Sequence, residues 1–258
     1  VLRAEADFLR RRGGDDALET AVLHARRGRE LSADLGLSTE LAVVEAGALN
    51  LLGRSDEALQ AAESALALDD DALDAWLERG VALFERLRFD EALPALERVH
   101  AERDDDARAA WYLGLLEERR GDETRARRLF DAADRLAPET YPPSVELSPA
   151  GFDALLRDEA RKLPEAERAA LQSAELSWRD LPEEGDLAAG DPVLSPTIVG
   201  LFRPGEEGRR DGIVLYRKNL LRICRSVEEL RLEVRDTLLH ELGHLHGEGD
   251  AELRDRGL

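Results

Sequence analysis

"AWLERGVALFERLRFDEALPALERV", residues 75–99, decides the fold of the first half of this chain. Its small residues recur. Gly80 has counterparts at Ala46 and Gly114, and Ala92 has counterparts at Ala58 and Ala126, each step being 34 residues. Around the first set stand "VVEAGALNLLG" (43–53) and "AAWYLGLLEER" (109–119). Around the second stand "SDEALQAAESAL" (55–66) and "DETRARRLFDAA" (122–133). Such a period predicts stacked pairs of helices, with small side chains where paired helices cross closely. Trp76, Leu83, Trp111 and Phe130 are the larger groups expected to fill the spaces between layers.

This pattern resembles the tetratricopeptide repeat over roughly residues 39–140, with a degenerate earlier unit in "GGDDALETAVLHARRGREL" (13–31). Pro138 falls where such a repeat ends its second helix. The runs Asp69-Asp70-Asp71 and Asp104-Asp105-Asp106 are expected to cap the helix that follows each. They lack the glycine and the spaced oxygen ligands of a calcium loop. His24 and His100 read as ordinary helix residues.

Composition narrows the function. Of 258 residues, 36 are Lys or Arg and 56 are Asp or Glu, for a net charge of −20. Phosphate backbones and anionic membrane surfaces would repel such a chain, so neither nucleic acid nor membrane is an expected partner. With no signal peptide and no apolar run of spanning length, the expected location is the cytoplasm. A single cysteine, Cys224, excludes an internal disulfide or a thiolate zinc cluster, and reads as a small buried apolar residue.

"APETYPPSVELSPAG" (137–151) carries four prolines and marks a boundary near residue 146. Residues 1–146 are expected to form the repeat domain and 147–258 a second domain. Ser148-Pro149 reads as the cap and first turn of a helix bearing Phe152, Leu155, Leu156 and Leu163. Strand signals come only later. "AELSWRD" (174–180) alternates, with Leu176 and Trp178 on one face, and "PTIVGLF" (196–202) and "GIVLY" (212–216) flank the polar loop "RPGEEGRRD" (203–211). The expected class is therefore mainly α, an N-terminal α-solenoid followed by a small α+β domain.

The last long element carries the chemistry. "SVEELRLEVRDTLLHELGHLHG" (226–247) opens with a capping box, Ser226 with Glu229, and stops at Gly247. Leu230, Val234, Leu238, Leu242 and Leu245 form its apolar stripe. At about 100° per residue, His240 and His244 lie one turn apart on the opposite side. Two imidazoles so spaced suit a tetrahedral zinc site, and Glu241 can act as general base on a water held there. H-E-x-x-H on a helix is the zinc metalloprotease motif.

The third ligand is the harder reading. His246 points about 200° away from His244 and reads as a surface residue or as a support for one of the ligands. Asp236, His240 and His244 together span about 12 Å along the axis, too far for one ion. Only 14 residues follow His244, too few for a glutamate from a separate helix. A reversal at Gly247 and Gly249 can instead present Asp250, with Glu248 and Glu252 as competitors. Tyr216 and Arg217, after the last strand, are candidates to stabilise an oxyanion, against a plain strand-end tyrosine and a solvated arginine.

Here "FDALLRDEARKLP" (152–164), "GLFRP" (200–204), "GIVLYRKNLLRIC" (212–224), "EELRLEVRDTLLHELGHLHGEGD" (228–250) and the tail "AELRDRGL" (251–258) resemble the small bacterial zincin-like metallopeptidases over roughly residues 150–258. The resemblance implies a compact zincin fold, one zinc per chain held by His240, His244 and Asp250, and Glu241 as the catalytic base. It is similar to the metzincins in motif only, because a chain without methionine cannot form their methionine turn. The expected function is a zinc-dependent peptidase acting on a peptide or protein substrate, with a repeat groove that recruits a protein partner, one with basic segments given the acidic balance. The alternative is an interaction scaffold whose zincin-like domain holds metal with little or no turnover.

Overall fold

A computed structural model describes residues 14–190, 192–205 and 210–257. Residues 1–13 of the expected first domain, and residues 206–209 of the expected polar loop, lie outside the described residues. The chain is mainly α, with one small sheet, and divides into two compact units. One holds the chain up to residue 143 together with 188–196; the other holds 144–187 and the chain from 197 onward.

The first unit is a run of helices: α1 (Gly14–Leu31), α2 (Leu35–Leu51), α3 (Ser55–Leu68), α4 (Leu73–Glu85), α5 (Phe89–Glu102), α6 (Ala107–Arg119) and α7 (Glu123–Leu136). The small residues read from the 34-residue period sit at the crossings. A Cβ on Gly80 would lie 2.6 Å from Leu96, and one on Gly114 would lie 2.6 Å from Phe130. Ala46, Ala58 and Ala92 are fully buried. Past the last helix, Tyr141 stacks on Trp111 with centroids 4.9 Å apart.

Polar groups also join successive repeats. Glu78 on α4 is buried and accepts from Asn50 on α2 (2.8 Å) and from Arg108 on α6 (2.6 Å). The two aspartate runs differ from expectation. Asp106 caps α6, its Oδ1 accepting from Ala109 N at 2.9 Å. The run at 69–71 stops one residue short, so Ala72 holds the cap position of α4 and makes no side-chain cap. Asp69 instead accepts from Asp71 N, and Asp71 pairs with Arg98 (3.0 Å).

The second unit contains α8 (Pro149–Lys162), α9 (Glu165–Leu171), β1 (Glu175–Arg179), α10 (Glu184–Ala188), β2 (Gly200–Arg203), β3 (Gly212–Tyr216), α11 (Arg217–Ile223), α12 (Val227–Leu245) and α13 (Asp250–Asp255). Ser148 caps α8, accepting from Gly151 N at 3.1 Å. The sheet order is β1-β3-β2, with β1 parallel and β2 antiparallel to the central β3. β2 is shorter than the apolar run "PTIVGLF" suggested: the Ile198 carbonyl is taken by the Asn219 amide (2.7 Å) rather than by a ladder.

Alternation gives the sheet two faces. Leu176, Trp178, Phe202, Ile213 and Leu215 pack with Phe152, Leu155 and Leu156 of α8 and with Leu230, Val234, Leu238 and Leu242 of α12. Glu159 of α8, fully buried, binds α8 to α12 by accepting from Arg231 (2.6 Å) and Arg235, with Lys162 at 2.9 Å. That clamp and the leucine stripe hold α12 rigid against the sheet.

Candidate metal centre

α12 starts where the sequence marks it. Ser226 Oγ accepts from Glu229 N (3.1 Å), and the Glu229 carboxylate reaches back to Arg225 N (2.7 Å), one residue before the cap. Burial of Leu230, Val234, Leu238 and Leu242 leaves the other side of the last turns for His240 and His244, each about a quarter exposed.

The helix ends in a Schellman turn. Gly247 adopts φ +85°, its N–H bonds the His244 carbonyl, and Glu248 N bonds the Gly243 carbonyl, both at 3.0 Å. α13 then begins at Asp250, with Gly249 N donating to the Glu252 carboxylate (2.9 Å). The returning tail docks through Leu253, which is fully buried. It sits where the side chain of Gly243 would be: a Cβ there would lie 2.2 Å from Leu253 Cδ2. Neither partner of this contact was singled out from sequence. The glycine between the two histidines of the motif was the available signal.

These turns bring three donors together. His240 Nε2 and His244 Nε2 are 3.1 Å apart, and an Asp250 carboxylate oxygen lies 3.6 Å from the first and 3.4 Å from the second. A tetrahedral ion with bonds of about 2.0–2.1 Å has ligand–ligand edges of about 3.3–3.4 Å. The three observed edges straddle that value, so the triangle fits one such ion on its open side.

The protonation pattern agrees. His244 Nδ1 faces the Glu248 carbonyl at 3.0 Å. A carbonyl can only accept, so Nδ1 carries the proton, and the neutral ring then offers its Nε2 lone pair toward His240 and Asp250. The competing carboxylates are engaged elsewhere, Glu248 with Arg256 and Glu252 at the start of α13. His246 is exposed.

Glu241 is buried and turns toward the sheet. A Cβ at Gly200, the first residue of β2, would lie 2.8 Å from Glu241 Oε1 and 2.5 Å from Thr237 Cγ2. The strand can therefore come this close only because residue 200 has no side chain. Tyr216 and Arg217 are not part of this group. Leu215 is registered with Gly200, so Tyr216, the next residue, points to the opposite face of the sheet. Arg217 donates to Asp180 (2.7 Å) and to the Leu147 carbonyl (3.2 Å), where it closes the entry to α8. Cys224 is buried, which pushes its thiol up to about 12 and leaves it unreactive.

A helical repeat array followed by an α+β unit, in which two donors of an HExxH helix and one of the tail after it converge, defines the class, a repeat protein with a zincin-like domain. Comparison with known families gives the particulars. Residues 171–258 match the zincin-like metallopeptidase family, and residues 52–99 and 82–139 match tetratricopeptide repeats, so this chain joins the two. The zincin-like family implies a zinc-binding site. Among solved structures, the chain is similar to the MamA RS-1 ArsTM double mutant, at 27% identity over 54% of this chain and 74% of that one, with a TM-score of 0.40. It is similar also to MamA 41-end from Desulfovibrio magneticus RS-1, at 28% identity over 54% and 75%, with a TM-score of 0.39. YrrB, described as a TPR protein with an unusual peptide-binding site, matches at 21% identity over 52% and 66%, with a TM-score of 0.39. Comparison with curated proteins gave no match. Among the described residues, no helix is long and apolar enough to cross a membrane.

Proposed function

We propose that residues 147–258 form a zinc-dependent metallopeptidase, with one Zn²⁺ held by His240, His244 and Asp250, and that the repeats of residues 1–146 recruit a protein partner or substrate. The observation that carries this reading is the donor triangle of 3.1, 3.4 and 3.6 Å, with Glu241 the residue after its first histidine. When bound, a zinc ion supplies Lewis acidity, lowering the pKa of water and polarising a carbonyl. The chain's own residues do the rest.

His244 is held in the required tautomer by the Glu248 carbonyl. Glu241 takes a proton from the attacking water as its oxygen bonds to the amide carbon. The same carboxyl then delivers that proton to the leaving nitrogen as the C–N bond breaks, so the base is regenerated. β2 is an edge strand whose first residue has no room for a side chain beside Glu241. Its outer backbone groups offer an extended peptide a ladder beside the base. The repeats support the recruiting role, because such arrays present a concave surface to extended segments.

Metal analysis of the full chain tests the first half of this reading: one zinc per chain is expected, lost in His240→Ala and in Asp250→Ala. Cleavage of a broad peptide library tests the second. Cleavage should disappear in Glu241→Gln while zinc is retained. A wild-type chain that holds zinc and cleaves nothing would leave a metal-bearing interaction scaffold instead.

A further inference from the structure

Ala188–Pro196, the stretch between α10 and β2, packs with the helical array, although the chain on either side of it belongs to the second unit. Residues 193–195 adopt no regular structure; Val193, Leu194 and Ser195 are half-buried, and Pro196 is buried. Its own sequence shapes this stretch. A Cβ on Gly190 would lie 2.7 Å from Leu194 Cγ and 2.9 Å from the Pro192 carbonyl oxygen, so both come close only because residue 190 has no side chain. Ser195 precedes a proline and is thereby biased to an extended backbone.

The array meets this stretch through Arg119, the last residue of α6. Its Nη2 donates to the Pro196 carbonyl at 3.4 Å, and its guanidinium lies over the Phe89 ring of α5, 5.0 Å from the centroid. The aromatic face steadies the cation. Because the bond goes to backbone, it recognises an extended chain rather than a particular side chain. Within the array, α2 packs on α4 and α4 on α6, more closely than the second helices α3, α5 and α7 pack on one another. In a curved stack the closer row is the inner one, so α6 belongs to the surface that such arrays offer to extended segments.

We propose that residues 192–196 are a resident ligand of the repeat array, and that the surface around Arg119 takes an extended, proline-flanked apolar peptide of the same kind from a partner or substrate, which must displace them. The proposal rests on the recruiting role of the repeats and not on zinc or cleavage. A segment tethered at both ends competes at an effective concentration in the millimolar range. The surface is thus closed to weak peptides and open to those that outdo its own segment. Proline favours such a ligand because it holds the chain extended before binding.

The test is fluorescence anisotropy of a labelled peptide, Pro192–Thr197, titrated with the full chain. Wild type should bind it at least about tenfold more weakly than a chain carrying Val193→Gly, Leu194→Gly and Pro196→Gly, whose resident segment has lost its side chains. In that freed chain binding should saturate, and adding Arg119→Ala should weaken it about tenfold, the loss of one charge-assisted hydrogen bond. Gly190→Ala dislodges the segment by a single methyl group and should also raise affinity for the peptide. Circular dichroism checks that each variant keeps its helices. No saturable binding by either freed chain, equal affinity in wild type and freed chains, or indifference to Arg119→Ala overturns the proposal. Library peptides that bind the array while Pro192–Thr197 does not would overturn it too, and would leave recruitment by the repeats standing.

Discussion

Leu253 occupies the space that a side chain at Gly243 would take, and this contact seats the tail bearing Asp250 beneath the two imidazoles. The third donor is thus placed by packing nine residues away from the second histidine, and not by the helix that carries the first two. Gly243→Ala must push Leu253 out. We expect metal affinity to fall about 10- to 100-fold, as when supporting groups around a metal ligand are lost, with the helix content of α12 retained. Chelator competition together with circular dichroism checks this; unchanged affinity would mean the tail is held by other contacts. Leu253→Ala should act in the same direction and cost about 2–5 kcal/mol of stability.

Gly200 is the corresponding device on the other side of Glu241. A methyl group at 200 meets Thr237 and the Glu241 carboxylate at 2.5 and 2.8 Å. Gly200→Ala is therefore expected to lower kcat for peptide cleavage by about 10- to 100-fold, because small displacements of a catalytic group are costly. Zinc stoichiometry should stay the same. Equal turnover in both proteins would show that the carboxylate has room to move aside.

Acid should loosen the second unit. Burial raises the Glu159 carboxyl, but hydrogen bonds from Lys162, Arg235 and Arg231 outweigh it and bring the group down to about 2. Asp158, bonded by Lys162 and Arg231, is also lowered to about 2. A depressed folded-state pKa contributes stability above the unfolded value of about 4, and that contribution is lost as pH falls toward 2. Thermal melts from pH 6 to pH 2 should decline steeply below about pH 4. In Glu159→Gln the decline should be shallower, starting from a protein destabilised by about 1–3 kcal/mol at neutral pH. Parallel pH profiles for the two proteins would contradict the clamp.

In the repeats, Gly114→Ala places a methyl group 2.6 Å from the Phe130 ring. Such overpacking should destabilise the array by about 1–3 kcal/mol. Urea denaturation followed by tryptophan fluorescence in a Trp178→Phe background, where Trp76 and Trp111 of the array remain, reads this, and no shift in midpoint would mean that Phe130 finds another rotamer at little cost.

Much of this architecture was legible because it is periodic or local. The 34-residue spacing exposed the crossings at Gly80 and Gly114, and the helical repeat put His240 and His244 on one side of α12. Gly247 announced a chain reversal because only a residue tolerant of positive φ ends a helix in this way. What stayed hidden depends on contacts between elements. Nothing near Gly200 in sequence says that Glu241 lies against it, and strand register was needed to decide between Tyr216 as an oxyanion candidate and as a plain strand-end tyrosine, placing it on the far face. The two aspartate runs looked equivalent, yet they are 35 residues apart in an array of period 34, and one residue of offset gives them different work.

Glu78 engages the preceding repeat through Asn50 and the following one through Arg108. Linear arrays with weak neighbour coupling fray from their ends, losing one unit at a time. A buried carboxylate fastened in both directions penalises any boundary between ordered and melted units at that point. Unfolding of the central repeats is therefore expected to be a single concerted event.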